Sequence, residues 1–212
     1  MKAVLLLIGL VSGLVIGGVL WGRSDGQTTM HMQCRPTSPA MLPETQSILF
    51  WGNSLAFDHD WSLDEFQAVN CARQGLTAQT ALSMTSQLPE IEFAVIVVVF
   101  GTVELVQSIK DVSEFGDAIS EMGSRLNASY PSAKLVVLGV PDGSKDVWRY
   151  AGDTQTEEVN ARLRGLENTI FVDTTTVLSS LSDSDQTYDG VHLTRASYAY
   201  LEREILRLIN DS

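Results

Sequence analysis

The sequence predicts a three-layer α/β/α domain with a parallel sheet of about five strands, preceded by an N-terminal transmembrane helix. Three observations carry this. From Ser47 onward, short apolar runs alternate with amphipathic stretches, the pattern of right-handed βαβ crossovers and a sheet covered on both faces. Phe93–Phe100 reads FAVIVVVF with no polar residue, as a central strand buried on both faces does. Ala3–Trp21 carries no charge at all; at 1.5 Å per residue it reaches roughly 28 Å, enough for a bilayer core.

Residues 1–23 read as an uncleaved signal anchor, because no clear small-x-small cleavage site follows the apolar run. Lys2 before it, and Arg23 and Asp25 after it, specify orientation only weakly. Gly9, Gly13 and Gly17 share one helix face, which permits a homodimer through close helix approach; glycine is also common in membrane helices generally. Residues 24–45 are polar, aperiodic and contain three prolines, the composition of a tether. Residues 46–212 remain, enough for one domain with a full core.

Within that domain, Ser47–Trp51 and Gln67–Cys71 are expected as strands and Ala78–Leu88 as a helix. Phe93–Phe100 is the central strand, Val112–Leu126 an amphipathic helix and Lys134–Val140 a further strand. Helical spacing returns over Thr156–Leu166, a short strand follows at Thr169–Val172, and Thr194–Ile209 closes the chain as an amphipathic helix. The formal net charge of -12 disfavours nucleic acid as a partner, since an acidic surface repels phosphate. Two cysteines, Cys34 and Cys71, make no disulfide framework or zinc pattern. Either they bridge in an exported domain, or Cys71 is a small buried hydrophobe.

Chemistry in parallel sheets sits at the carboxyl ends of strands. The first strand ends in Trp51-Gly52-Asn53-Ser54-Leu55; a serine just past a strand and a glycine is placed for nucleophilic attack, although Gly-Asn-Ser is also ordinary turn chemistry. Near the C-terminus, Tyr188-Asp189-Gly190-Val191-His192 puts a carboxylate three residues before an imidazole. His192 could take the Ser54 proton and Asp189 could fix its tautomer. Thr194 doubles as a helix N-cap.

Four segments in this order resemble the SGNH (GDSL-like) hydrolases. Gly52-Asn53-Ser54-Leu55 is similar to their first block, with Asn53 where many members have aspartate. Asn70-Cys71-Ala72-Arg73-Gln74-Gly75-Leu76-Thr77 is similar to the second, and Asp189 to His192 matches the last. The resemblance covers roughly Gln46 to Leu208 and implies a flavodoxin-like core. It also implies Ser54 as nucleophile, Asp189 and His192 as its partners, and the amides of Ser54 and Gly75 as oxyanion donors. No metal or organic cofactor is implied. The third block departs from the pattern: Gly101-Thr102-Val103-Glu104 stands where the family has Gly-x-Asn-Asp, and valine has no donor. Thr102 or Gln107 could supply that donor, two backbone amides could suffice at a lower rate, or the fold could be kept without catalysis.

The activity implied is a membrane-anchored serine esterase outside the cytoplasm, acting on O-acyl, above all acetyl, esters of carbohydrate or lipid. An O-acyltransferase of the same fold, or an impaired glycan-binding domain, are the alternatives. Thr102 and Trp148 are candidate substrate contacts; Trp148 and Tyr150 follow a strand end and could wall an acyl or sugar group or merely pack their loop. Asp58-His59-Asp60 carries metal-type donors, but a solvated loop accounts for the run better, and no metal is assigned. This loop and Trp61 are expected at the pocket mouth. Asn127-Ala128-Ser129 fits a glycosylation sequon, relevant only in a eukaryotic secretory host.

Overall fold

A computed structural model describes residues 34–36, 47–63, 66–107, 111–141 and 153–211. The predicted anchor, most of the tether, Trp148 and Tyr150 lie outside the described residues. Among the described residues no helix is long and apolar enough to cross a membrane.

Five parallel strands form the sheet: β2 (Ser47–Gly52), β3 (Gln67–Asn70), β4 (Val95–Val99), β5 (Lys134–Leu138) and β6 (Thr169–Val172). A two-residue strand, β1 (Arg35–Pro36), adds antiparallel to β3, giving the order β1-β3-β2-β4-β5-β6. From β2 the chain steps to β3 on one side, then crosses back to β4 on the other. That reversal opens a crevice at the carboxyl ends of β2 and β4, the usual ligand position in doubly wound sheets.

The run at β4 explains the three layers. All five of its residues are buried. Ile96 and Val98 face one core with α2 (Ala78–Met84), α4 (Val112–Ser129) and α5 (Asp153–Arg164). Val95, Val97 and Val99 face the other, with α1 (Ser54–Phe57) and α8 (Arg195–Asp211). Side chains alternate across a strand, so one β-branched run fills both cores. On α4 the buried Phe115, Ala118, Ile119, Met122 and Leu126 make one apolar stripe. The Asp111 carboxylate starts that helix by accepting from Ser113 N at 2.8 Å. On α8, Tyr198, Leu201, Ile205 and Ile209 do the same for the opposite layer.

The fold class is therefore as expected, with four differences. The 3.6-residue stretch after β3 ends earlier as an α-helix, at Met84, and continues as a 3₁₀ turn, Thr85–Gln87. The ladder of β4 is shorter than its apolar run; Phe93 and Phe100 are buried outside it. Four short helices had no sequence signal: α1, α3 (Thr102–Val106), α6 (Thr174–Leu178) and α7 (Asp183–Gln186). The stretch assigned as tether is also not free throughout. Cys34 forms a disulfide with Cys71, β1 pairs with Asn70 and Val69, and the Arg35 guanidinium lies 4.2 Å over the Phe57 ring. The open choice between a bridge and a buried Cys71 thus resolves as a bridge.

Candidate active site

Ser54 is the first residue of α1, immediately past β2, and is 8 % exposed. Its mount is stiff. Asn53 is fully buried; its side chain caps the turn by accepting from Leu55 N at 3.0 Å, and its carbonyl accepts from the Ala56 and Phe57 amides. That leaves the Ser54 amide with no partner inside its own helical turn, as the first N–H groups of a helix must be. Gly52 is demanded by packing: a Cβ there would collide with the Val99 backbone on the neighbouring strand. Asn70 donates its side-chain amide to Ala56 O at 2.7 Å and Arg73 N donates to Gly52 O at 2.9 Å, locking the loop after β3 onto the loop after β2. Gly75 follows in that loop at φ +67°, a left-handed conformation that glycine adopts without penalty.

The second half of the site comes from the loop before α8. An antiparallel bridge between Thr187 and Leu193, with Tyr188 N donating to His192 O at 3.0 Å, closes its base. The Asp189 Oδ1 atom accepts from the amides of Val191 at 2.9 Å and His192 at 2.7 Å. Its Oδ2 atom lies 2.7 Å from His192 Nδ1, and His192 Nε2 lies 3.1 Å from Ser54 Oγ. One hydroxyl, one imidazole and one carboxylate, drawn from segments 138 residues apart, thus form a continuous hydrogen-bonded relay. Partial burial pushes the Asp189 carboxyl up, but the His192 ring and the two backbone amides outweigh it and hold the group below the usual carboxylate range. Asp189 is therefore ionised at neutral pH and favours the tautomer that carries the proton on Nδ1, leaving Nε2 free to accept. Thr194 caps α8 through Ser197 N at 3.2 Å, so catalytic loop and helix start coincide.

These groups open into a cleft of about 470 Å³, lined by Ser54, Gly75, Thr102, Val103, Gln107 and His192 among others. Thr102 and Gln107, the two expected substitute donors, both border it, and so does Val103. A hollow of similar volume, about 460 Å³, lies by the amino ends of β4 and β5 between Thr85, Glu90 and Tyr130. No nucleophile–imidazole pair faces it, so the chemistry selects the first cleft.

One reading changes. Trp61 does not line the mouth; it is 2 % exposed, stacks on Phe50 at 4.2 Å between ring centroids, and donates to Ala56 O. His59 bonds Glu202 at 3.0 Å and stacks on Tyr198, while Asp58 turns into the cleft. Asn127 of the sequon lies within α4.

Asp58 borders the cleft with Oδ2 3.8 Å from His192 Nε2, at the mouth where its loop is expected. Glu104 escaped the sequence reading. Glu104 is buried on α3, where Oε1 accepts from Ala78 N and Oε2 from Gly101 N at 3.0 Å. It thereby ties the start of α2, just after Gly75, to the loop after β4. Its place in the aspartate position of the third block was the one available signal.

A doubly wound sheet with a serine, a histidine and an aspartate in contact at its switch point is the fold that the resemblance to the SGNH-type hydrolases implies. Comparison with solved structures agrees on the fold. The chain superposes on the lipase/acylhydrolase from Enterococcus faecalis with a TM-score of 0.64 at 16% identity, over 78% of this chain and 95% of that one. A GDSL-like lipase from Bacteroides thetaiotaomicron gives 0.60 at 17% identity, over 78% and 88% of the two chains. An acetylxylan esterase from Geobacillus stearothermophilus gives 0.58 at 16% identity, over 77% and 94%. No protein-family model and no curated protein matches the sequence.

Proposed function

We propose that the chain is a serine esterase that hydrolyses O-acyl esters, with acetyl esters of carbohydrate as the favoured class. The observation that supports this most is the contact of 3.1 Å between Ser54 Oγ and His192 Nε2, backed by Asp189 at 2.7 Å from Nδ1. In this reading Ser54 Oγ attacks the ester carbonyl carbon while its proton passes to His192 Nε2. The tetrahedral oxyanion forms against the Ser54 and Gly75 amides. Collapse breaks the bond to the alcohol oxygen, which takes the proton from Nε2, and leaves Ser54 acylated. Water then repeats the sequence and releases the acid. The similarity in fold to an acetylxylan esterase and to acylhydrolases supports the substrate class.

The domain acts outside the cytoplasm, tethered by residues 1–23, in the same proposal. The Cys34–Cys71 disulfide supports this side, because such bonds persist in oxidising compartments. Val103 favours a second reading, a glycan-binding domain that has lost turnover. Acetate release from acetylated xylan and from glucose pentaacetate tests the two. The esterase releases acetate and Ser54→Ala loses at least about a thousandfold in kcat; the binding domain releases none while retaining affinity for the glycan.

A further inference from the structure

The atom that must protonate the departing alcohol is His192 Nε2, so the alcohol oxygen has to come within about 3 Å of it. A second carboxylate stands at that same nitrogen. Asp58 Oδ2 is 3.8 Å from His192 Nε2, and its side chain is 26% exposed. Gln74 Nε2 donates to its other oxygen at 2.9 Å, which holds the carboxylate on the cleft side. Its backbone is equally fixed: the Asp58 amide donates to Ser54 O at 2.9 Å, so carboxylate and nucleophile share one turn. Neither lysine nor arginine is among the described residues lining this cleft to neutralise it. Asp58 plays no part in the relay, since Asp189 already occupies Nδ1.

We propose that Asp58, oriented by Gln74, is a specificity-determining residue that selects esters of polyols. The proposal rests on the esterase reading above. An alcohol oxygen seated at Nε2 carries the carbon chain attached to it towards Asp58, and a free hydroxyl on the carbon next to the ester-bearing one donates to Oδ2. Esters of simple alcohols leave the carboxylate facing only solvent. Esters whose alcohol part carries a carboxylate or phosphate meet like charge there and are rejected. The exposed Tyr188 ring, 5.8 Å from the His192 ring and nearly parallel to it, borders the same opening as a platform for the face of a sugar.

The test measures kcat/KM for glycerol monoacetate and for ethyl acetate in the wild type, Asp58→Asn and Asp58→Ala. The ratio of the two constants within each protein cancels any general loss of activity or of folded fraction. The wild type favours the glycerol ester; Asp58→Ala lowers that preference about tenfold, the scale of one hydrogen bond to a charged acceptor. Asp58→Asn, which keeps a carbonyl acceptor, falls between. A wild type without preference, or a ratio that Asp58→Ala leaves intact, overturns the proposal. A wild type that cleaves neither ester and resists fluorophosphonate overturns the esterase reading itself, and this proposal with it.

Discussion

At the scale of single residues, the site departs at Val103 from the pattern that the sequence otherwise resembles, and Val103 borders the cleft with no hydrogen-bond donor to offer. An oxyanion donor is worth about 2.7–4 kcal/mol in acyl transfer. Val103→Asn is therefore expected to raise kcat, by tenfold or more, at a cost in stability of about 1–3 kcal/mol, because the position is buried and the amide is desolvated there. Steady-state kinetics on one acetyl ester checks it; a lower kcat would mean that Thr102 or Gln107 already fills the position. Glu104 makes a prediction of the opposite kind. Desolvation by burial raises its carboxyl above the ordinary value, against the backbone hydrogen bonds that lower it. The folded state then holds this proton more tightly than the unfolded chain does. Its contribution to stability is full below the unfolded pKa and declines as pH rises through the folded one. Glu104→Gln cannot titrate, so the slope that this group adds to the melting temperature between about pH 4 and the raised value disappears in the variant. Melting curves across that range read it directly. The same variant loses one of two backbone acceptors, at a cost of about 1–3 kcal/mol.

At the scale of elements, what was legible in the sequence follows from length. The buried run at β4 and the stripes of α4 and α8 repeat often enough to fix both period and face. α1, α3, α6 and α7 span only four or five residues each, barely one turn, and a period cannot be read from one turn. β1 consists of two residues, one of them proline, in a polar stretch; its pairing follows from the bridge to Cys71, which spacing alone did not decide. The site divides along the same line. Ser54, Asp189 and His192 were visible because each combines a reactive side chain with strand-end or turn chemistry. Glu104 was not, because its role depends on which loops the sheet brings together; of Asp58, only the place of its loop at the mouth was legible. The disulfide closes a loop of 37 residues beside the Gly75 loop. Chain-entropy arguments give such a bridge about 3–4 kcal/mol. Cys34→Ser is expected to lower the urea midpoint and to steepen the slope, because the unbridged chain exposes more surface on unfolding; an unchanged midpoint would show that the bridge does not constrain the unfolded chain.

At the scale of the whole molecule, the chain has a net charge of -12, and its acidic part follows an uncharged segment from Ala3 to Trp21. If that segment anchors the chain, the full-length protein sediments with membranes and resists high salt and carbonate, while residues 46–212 are recovered in the soluble fraction. Carbonate extraction of the full-length chain distinguishes an inserted helix from a peripheral contact. The acidity has its own consequence: association with anionic surfaces gains nothing from the acidic part of the chain. Truncation before residue 34 keeps the disulfide, and truncation after it does not, so the two shortened forms separate anchoring from stabilisation.

The esterase reading rests on Ser54 being an activated nucleophile. The most direct measurement is intact mass, with peptide mapping, after exposure to a fluorophosphonate. One adduct per chain, mapped to Ser54, absent in Ser54→Ala and strongly slowed in His192→Ala, is the predicted result. A chain that remains unmodified under conditions that saturate a known serine hydrolase, or that reacts at the same rate without the imidazole, would contradict it.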